Sequence, residues 1–162
     1  MGANDGPDGI ALTRARVLHP DLRGPSTRTP EAALEEARSL TEALDLDLAD
    51  ARVVPVPHPS PATLLGPGKV REIAGEVEAD GTDVVIVNSE LSPVQQRNLE
   101  RAWKTKVLDR TGLILEIFGE RAATREGVLQ VELAHLTYQK SRLVRSWTHL
   151  ERQRGGVGFM GG

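Results

Sequence analysis

Gly66-Pro67-Gly68-Lys69 has the residue types of a phosphate-binding loop, in which backbone N–H groups and a lysine surround a phosphate. The spacing fails. The P-loop pattern needs a glycine five residues before Gly68, where Thr63 stands, and a serine or threonine after the lysine, where Val70 stands. A helix N-terminus carrying Gly68 and Lys69 could still attract an anion weakly, so these two are a weak anion-site candidate. The simpler reading is a loop entering a helix.

Other reactive side chains form no constellation. His19, His58, His135 and His149 show no pairing at three- or four-residue spacing. On a continuous helix His135 and His149 would sit about 21 Å apart, too far to share a metal. No metal site is expected, and the histidines read as surface or loop residues. Glu116 and Glu120 lie one helical turn apart, but no nucleophile stands near them, so they read as a solvated face. Ser89, Ser92 and Ser141 lack a G-x-S-x-G setting. The chain contains no cysteine, which removes disulfides, thiolate metal sites and a cysteine nucleophile. No catalytic residue is assigned, and the chain alone is not expected to be an enzyme.

The strongest chemical signal lies near the C-terminus. Lys140, Arg142, Arg145, Arg152 and Arg154 face one acid, Glu151, with Trp147 and His149 among them. Gly155, Gly156 and Gly158 follow, with Phe159 between glycines and a methionine. Arginine pairs bidentately with phosphate and stacks on bases, and glycine lets backbone approach a crowded surface. This combination suits RNA. Phe159 could stack on an unpaired base or pack against another helix.

Charge is sorted along the chain. Residues 31–90 carry 13 acidic side chains against four basic ones, and residues 91–162 carry seven against 12. The first segment is thus −9 and the second +5, although the whole chain is only −3. The basic part is where an anionic partner is expected. The longest apolar runs, 84–87 and 113–115, are far too short to span a membrane. Residues 1–9 lack a signal-peptide design, so a cytoplasmic protein is expected.

The elements that must position these residues alternate. Residues 1–9 read as a tail. Residues 10–18 suit a strand, and Thr29-Pro30 caps a helix on which Leu34, Ala37, Leu40, Leu44 and Leu48 recur. A short strand over 52–56 precedes a proline-rich loop, then a helix over 69–79. The run Val84-Val85-Ile86-Val87 suits a strand buried on both faces. Ser92-Pro93-Val94-Gln95 has capping-box form and opens a helix to about residue 104. Residues 106–108 form a brief strand. Thr111 can cap a further helix with Ile114, Ile117 and Phe118 inward, although residues 113–118 are apolar enough for a strand. The order β-α-β-α-β-α-β-α over residues 10–122 predicts an α/β subdomain, a small parallel sheet flanked by helices.

Residues 123–154 read differently. From 126 to 154 there is no proline and one glycine, Gly127. Leu129, Leu133, Leu136, Leu143, Trp147 and Leu150 follow alternating steps of four and three, interrupted only by Lys140. This is a helix-pairing seam on a long helix, half of an antiparallel hairpin whose partner is absent. Residues 155–162 hold five of the chain's 16 glycines and read as a tip loop cut before the second helix. A natural tail is the alternative.

These residues also resemble a known family. Leu91-Ser92-Pro93-Val94-Gln95-Gln96-Arg97-Asn98-Leu99-Glu100, Asp109-Arg110-Thr111 and Leu113-Ile114-Leu115-Glu116-Ile117-Phe118 are similar to the N-terminal region of HflX-type GTPases. Gly127-Val128-Leu129-Gln130-Val131-Glu132-Leu133-Ala134 continues the likeness, as do Arg142-Leu143-Val144-Arg145 and the run from Trp147 through Arg154 to Gly162. Before Leu91 the likeness is looser, with Leu65-Gly66-Pro67-Gly68-Lys69-Val70 as its best anchor.

The resemblance implies an α/β subdomain, two long antiparallel helices and a downstream P-loop GTPase domain. It implies binding to the large ribosomal subunit, with splitting or rescue of ribosomes under stress. The loop between the long helices would point toward the peptidyl-transferase RNA. The RNA-facing residues would then be Arg142, Arg145, His149, Arg152, Arg154, Gly155, Gly156, Gly158 and Phe159. The second helix and the GTPase domain, with its GTP and Mg, lie outside these residues, so no cofactor is expected in this chain. Two other readings stay open: an ATP-binding module centred on Gly66 to Lys69, and a dimerisation module using the leucine seam.

Overall fold

The computed structural model of the chain describes residues 13–22, 28–122 and 124–142. Four parallel strands, β1 (Arg14–Asp21), β2 (Asp47–Pro55), β3 (Val84–Val87) and β4 (Lys106–Leu108), form one sheet in the order β2-β1-β3-β4. Helices α1 (Pro30–Glu42), α2 (Pro67–Asp80), α3 (Pro93–Trp103) and α4 (Arg110–Arg121) follow the strands in turn, and α5 (Arg125–Arg142) closes the described chain. The expected α/β class and alternation are present.

Local chemistry explains where the helices begin. Thr29 caps α1 by accepting from the Ala32 N–H at 3.1 Å, with Pro30 at the first helical position. Ser92 and Gln95 close a reciprocal capping box on α3, at 3.1 and 2.9 Å. On α4 the cap is Asp109, not Thr111, because Asp109 Oδ1 accepts the Gly112 N–H at 2.9 Å. A carboxylate there also meets the positive end of the helix dipole.

The apolar residues divide between the two faces of the sheet. Leu18, Val85, Val87 and Val107 pack with Ile73 and Val77 of α2 and Leu99 and Trp103 of α3. Ala15, Val17, Val84 and Ile86 pack on the other face with Ala37 of α1 and Leu113 and Ile117 of α4. Helices on both faces follow from right-handed crossovers that run one way from β1 and the other way from β2 and β3. Each fully buried Leu, Ile or Val in these layers contributes about 1.5–3 kcal/mol.

Three expectations need correction. The leucine run ending at Leu48 is not one helix: α1 stops at Glu42, and Leu48 lies on β2. Asp45 adopts φ 56° and turns the chain so that β2 pairs with β1 from Asp47 onward. Aspartate tolerates that left-handed conformation better than most residues. Strand β2 is accordingly longer than the 52–56 segment. Phe118 is 56% exposed rather than inward, while Ile117 is buried and Ile114 half-buried.

Candidate functional site

Helix α5 is seated on the subdomain by buried polar groups. Its inner face places His135 and Tyr138 one turn apart, both buried. The Tyr138 hydroxyl lies 2.8 Å from Asp109 Oδ1 and 3.4 Å from Gln96 Oε1. Asp109 is fully buried and accepts in addition from Gly112 N and, at 3.4 Å, from Leu91 N. Gln96, also fully buried, donates Nε2 to the Val107 carbonyl at 2.8 Å. One short network therefore joins α3, β4, the cap of α4 and α5. The single Tyr138 proton goes to Asp109, the nearer acceptor, and hydrogen bonds of this kind between buried groups add rigidity. Reading His135 as a surface residue is thus corrected, because it shares the docking face with Tyr138. Glu116 is likewise buried, at 3% exposure, rather than part of a solvated face with Glu120.

The outer side of α5 is different. Leu129, Leu133 and Leu136 are exposed at 54%, 66% and 51%. At about 100° per residue their stripe is turned roughly 155° from the His135 and Tyr138 face. The helix therefore carries two contact faces, one docked and one open. The described part of the predicted seam is the open one. Its remaining members, Leu143, Trp147 and Leu150, lie outside the described residues. So do Arg145, His149, Arg152, Arg154, Gly155, Gly156, Gly158 and Phe159, and Arg142 is described only as the last residue of α5.

Gly66, Gly68 and Lys69 do sit at a helix start, with Gly66 as the cap of α2 and Pro67 at its first position. Lys69 Nζ is 2.8 Å from Glu72, and a Cβ on Gly68 would meet no atom within 4 Å. With the P-loop spacing absent and Lys69 paired with Glu72, no nucleotide chemistry is assigned to these residues.

At the carboxyl ends of β1 and β3 the strand order reverses, which is where open α/β sheets bind ligands. Here Asn88 fills the crevice. Its Nδ2 donates to His19 Nδ1 at 3.1 Å and to the Ala33 carbonyl at 3.3 Å, while Arg110 donates to Asn88 Oδ1 at 3.3 Å. An amide nitrogen can only donate, so Nδ1 of His19 is unprotonated. Burial, and next the Arg110 charge, lower the His19 pKa from 6.5. Near the other end of β1 and β2, buried Arg16 pairs with Asp50 and Glu76 at 3.2 and 2.8 Å and with Asp80. Arg52 joins Asp50 and Glu76 in the same network. Neither group is marked by a local pattern in the sequence, since each joins residues far apart in the chain. Among the described residues no group of His, Asp and Glu could hold a metal, and no helix is long and apolar enough to cross a membrane.

Many proteins share a parallel sheet of this kind, and the sequence places this one in a class, the N-terminal portions of GTP-binding GTPases. The family described as GTP-binding GTPase N-terminal matches residues 31–119, and the GTP-binding GTPase middle region matches residues 121–162. The chain belongs to this family, in its HflX type. It is 56% identical over 129 residues to the GTPase HflX of Magnetococcus marinus, covering 80% of this chain and 30% of that protein. Against the GTPase HflX of Escherichia coli it is 49% identical over 128 residues, covering 79% and 30%. The chain thus spans about 30% of the length of these relatives. Among solved structures, a GTP-binding protein from Sulfolobus solfataricus in complex with GDP aligns with a TM-score of 0.62 at 25% identity, over 82% of this chain and 38% of that one. A complex of SsGBP with GDP aligns with a TM-score of 0.65 at 24% identity, covering 82% and 36%, and supports the fold alone.

Proposed function

We propose that the chain is the ribosome-binding N-terminal part of an HflX-like GTPase, acting on the large ribosomal subunit in the cytoplasm. GTP, with Mg, would be bound and hydrolysed by a downstream domain. The α/β subdomain serves as a platform and α5 as a lever. Arg142, Arg145, His149, Arg152 and Arg154 contact ribosomal RNA, and Gly155, Gly156, Gly158 and Phe159 form the tip. The single observation that carries the reading is the two-faced helix. A rod bolted to a folded platform on one side, with leucines open on the other, is built to hold a second helix beside it. The pair would project the basic tip away from the sheet.

Binding would be electrostatic at long range and shape-specific at contact. A bound posture that excludes the small subunit would split ribosomes by differential affinity. Co-sedimentation with purified large subunits tests the reading. The chain is expected to pellet with them in a salt-sensitive manner, and Arg152→Ala/Arg154→Ala to lose most of that binding. Sedimentation unaffected by the double substitution would remove the tip from the contact.

A further inference from the structure

The charged residues of the described subdomain are not used alike. Arg14, Arg16, Arg28, Arg38, Arg52 and Lys69 each face a carboxylate within 4 Å. Arg71, Arg110, Arg121, Arg125 and Lys140 are exposed and stand in no ion pair among the described residues, but only helix α3 lines up three unpaired cations along one side. Arg97, Arg101 and Lys104 recur at steps of four and three along it and at its C-cap, one per turn over about 10 Å. Among the described residues none of the three stands in an ion pair. Arg101 and Lys104 are exposed, and Arg97 is half-buried with its Nε unpartnered. The acid of α3, Glu100, cannot neutralise them, because it is buried and accepts from the Val107 N–H at 3.2 Å.

Backbone conformation adds a second observation. Lys104 closes α3 in the left-handed region, with φ 52° and ψ 39°. Helix α2 ends in the same conformation with the expected glycine, Gly81, at φ 68°. Glycine adopts this geometry freely, whereas a side chain at Cβ strains it. Here a lysine stands where glycine would serve the fold better, and what it adds is one more cation in line with Arg97 and Arg101.

We propose that this strip of α3 is a phosphate-backbone contact for RNA, a second attachment point set on the platform rather than the lever. It rests on the ribosome-binding reading for its biological partner but not for its chemistry. A row of unneutralised cations on a rigid helix suits a row of phosphates, which position a protein without reading sequence. A protein partner would need an apolar centre. On α3 the large exposed apolar side chain is Val94, at the first turn, away from Lys104. The shallow strip offers no base pocket, so binding there is insensitive to RNA sequence.

The test compares the 162-residue chain with R97Q/R101Q/K104G and with Lys104→Gly alone. Binding to large ribosomal subunits and to a short RNA hairpin is measured across a potassium chloride titration, with polyglutamate as control. The triple variant is expected to bind both RNAs about tenfold or more weakly, with a log–log salt slope reduced by about two. Lys104→Gly is expected to melt no lower than the parent while binding RNA more weakly, which separates the charge from folding. Unchanged affinity and slope in both variants, with the parent binding, overturn the strip and leave the ribosome reading standing. Strip-dependent binding to the hairpin without binding to large subunits overturns the ribosome reading and keeps the strip. A parent that binds neither RNA overturns both, and tighter binding to polyglutamate than to RNA overturns the choice of partner.

Discussion

Tyr138 and Asp109 meet at 2.8 Å, 29 residues apart in sequence, in the interior where α5 crosses the N-cap of α4. The hydroxyl donates to a carboxylate that already caps α4 through Gly112 N. One oxygen thereby holds the start of one helix and the middle of the next. This bond fastens α5 to the subdomain beneath it.

Tyr138→Phe keeps the ring and removes the donor. The buried carboxylate then loses one of its hydrogen bonds, a loss worth about 1.5–3 kcal/mol for a charged acceptor. The midpoint of urea unfolding should fall accordingly. Amide exchange should quicken in α5 more than in β1 or β3, because the bond secures the helix and not the sheet.

Gly112→Ala tests the closeness of the same joint. A Cβ at this position would lie 2.7 Å from Leu108 Cδ2 and 3.0 Å from the Tyr138 oxygen. Both neighbours are buried, so overpacking should cost about 1–3 kcal/mol. Thermal melting should show the loss. In the Tyr138→Phe background the penalty should shrink, since the oxygen is gone, and the two changes should couple measurably in a double-mutant cycle.

His19 makes stability depend on pH. Its folded pKa lies below 6.5, from burial first and the Arg110 charge second, with Arg28 acting the same way and Asp21 and Glu31 opposing. The unfolded chain therefore binds more protons in this range. The contribution is fully present above pH 6.5 and is lost as the pH falls through 6.5 toward the folded value. Urea midpoints should decline across that window in the parent and decline less in His19→Gln. Equal slopes would show that His19 does not carry the dependence.

Leu136→Glu probes the open stripe. Leu136 is 51% exposed, so its replacement should change the stability of this chain by no more than about 0.5 kcal/mol. Its effect should appear in association. If the stripe pairs two copies of the chain, sedimentation velocity should show a dimer that becomes monomeric in the variant. If it serves a helix of the same protein, the isolated chain should sediment as a monomer with or without the change.

Much of this architecture was legible in residue order. The pattern of β-branched runs and capped helices marked the alternation, and Thr29-Pro30 and Ser92-Pro93 with Gln95 marked two helix starts that the structure retains. The steps of four and three through Leu129, Leu133 and Leu136 marked an apolar side of α5 that the subdomain leaves open. These features are written in local chemistry: a cap, a ring that fixes φ, a period of hydrophobicity.

The docked side of α5 left no such trace. Hydrophobic periodicity treats His135, Tyr138, Gln96, Asp109, Glu116 and Arg16 as surface residues, and all six are buried. A polar group can be buried when another group satisfies it, and Tyr138 finds its partners 29 and 42 residues away. The order of residues alone thus determined which elements form, how the charge is sorted and that one stripe of α5 is apolar. Only the tertiary structure decided which stripe is already taken, which cations remain unneutralised on α3 and how Asn88 fills the crevice between β1 and β3. Those outcomes depend on distances between groups remote in the chain, and a local pattern carries no record of them.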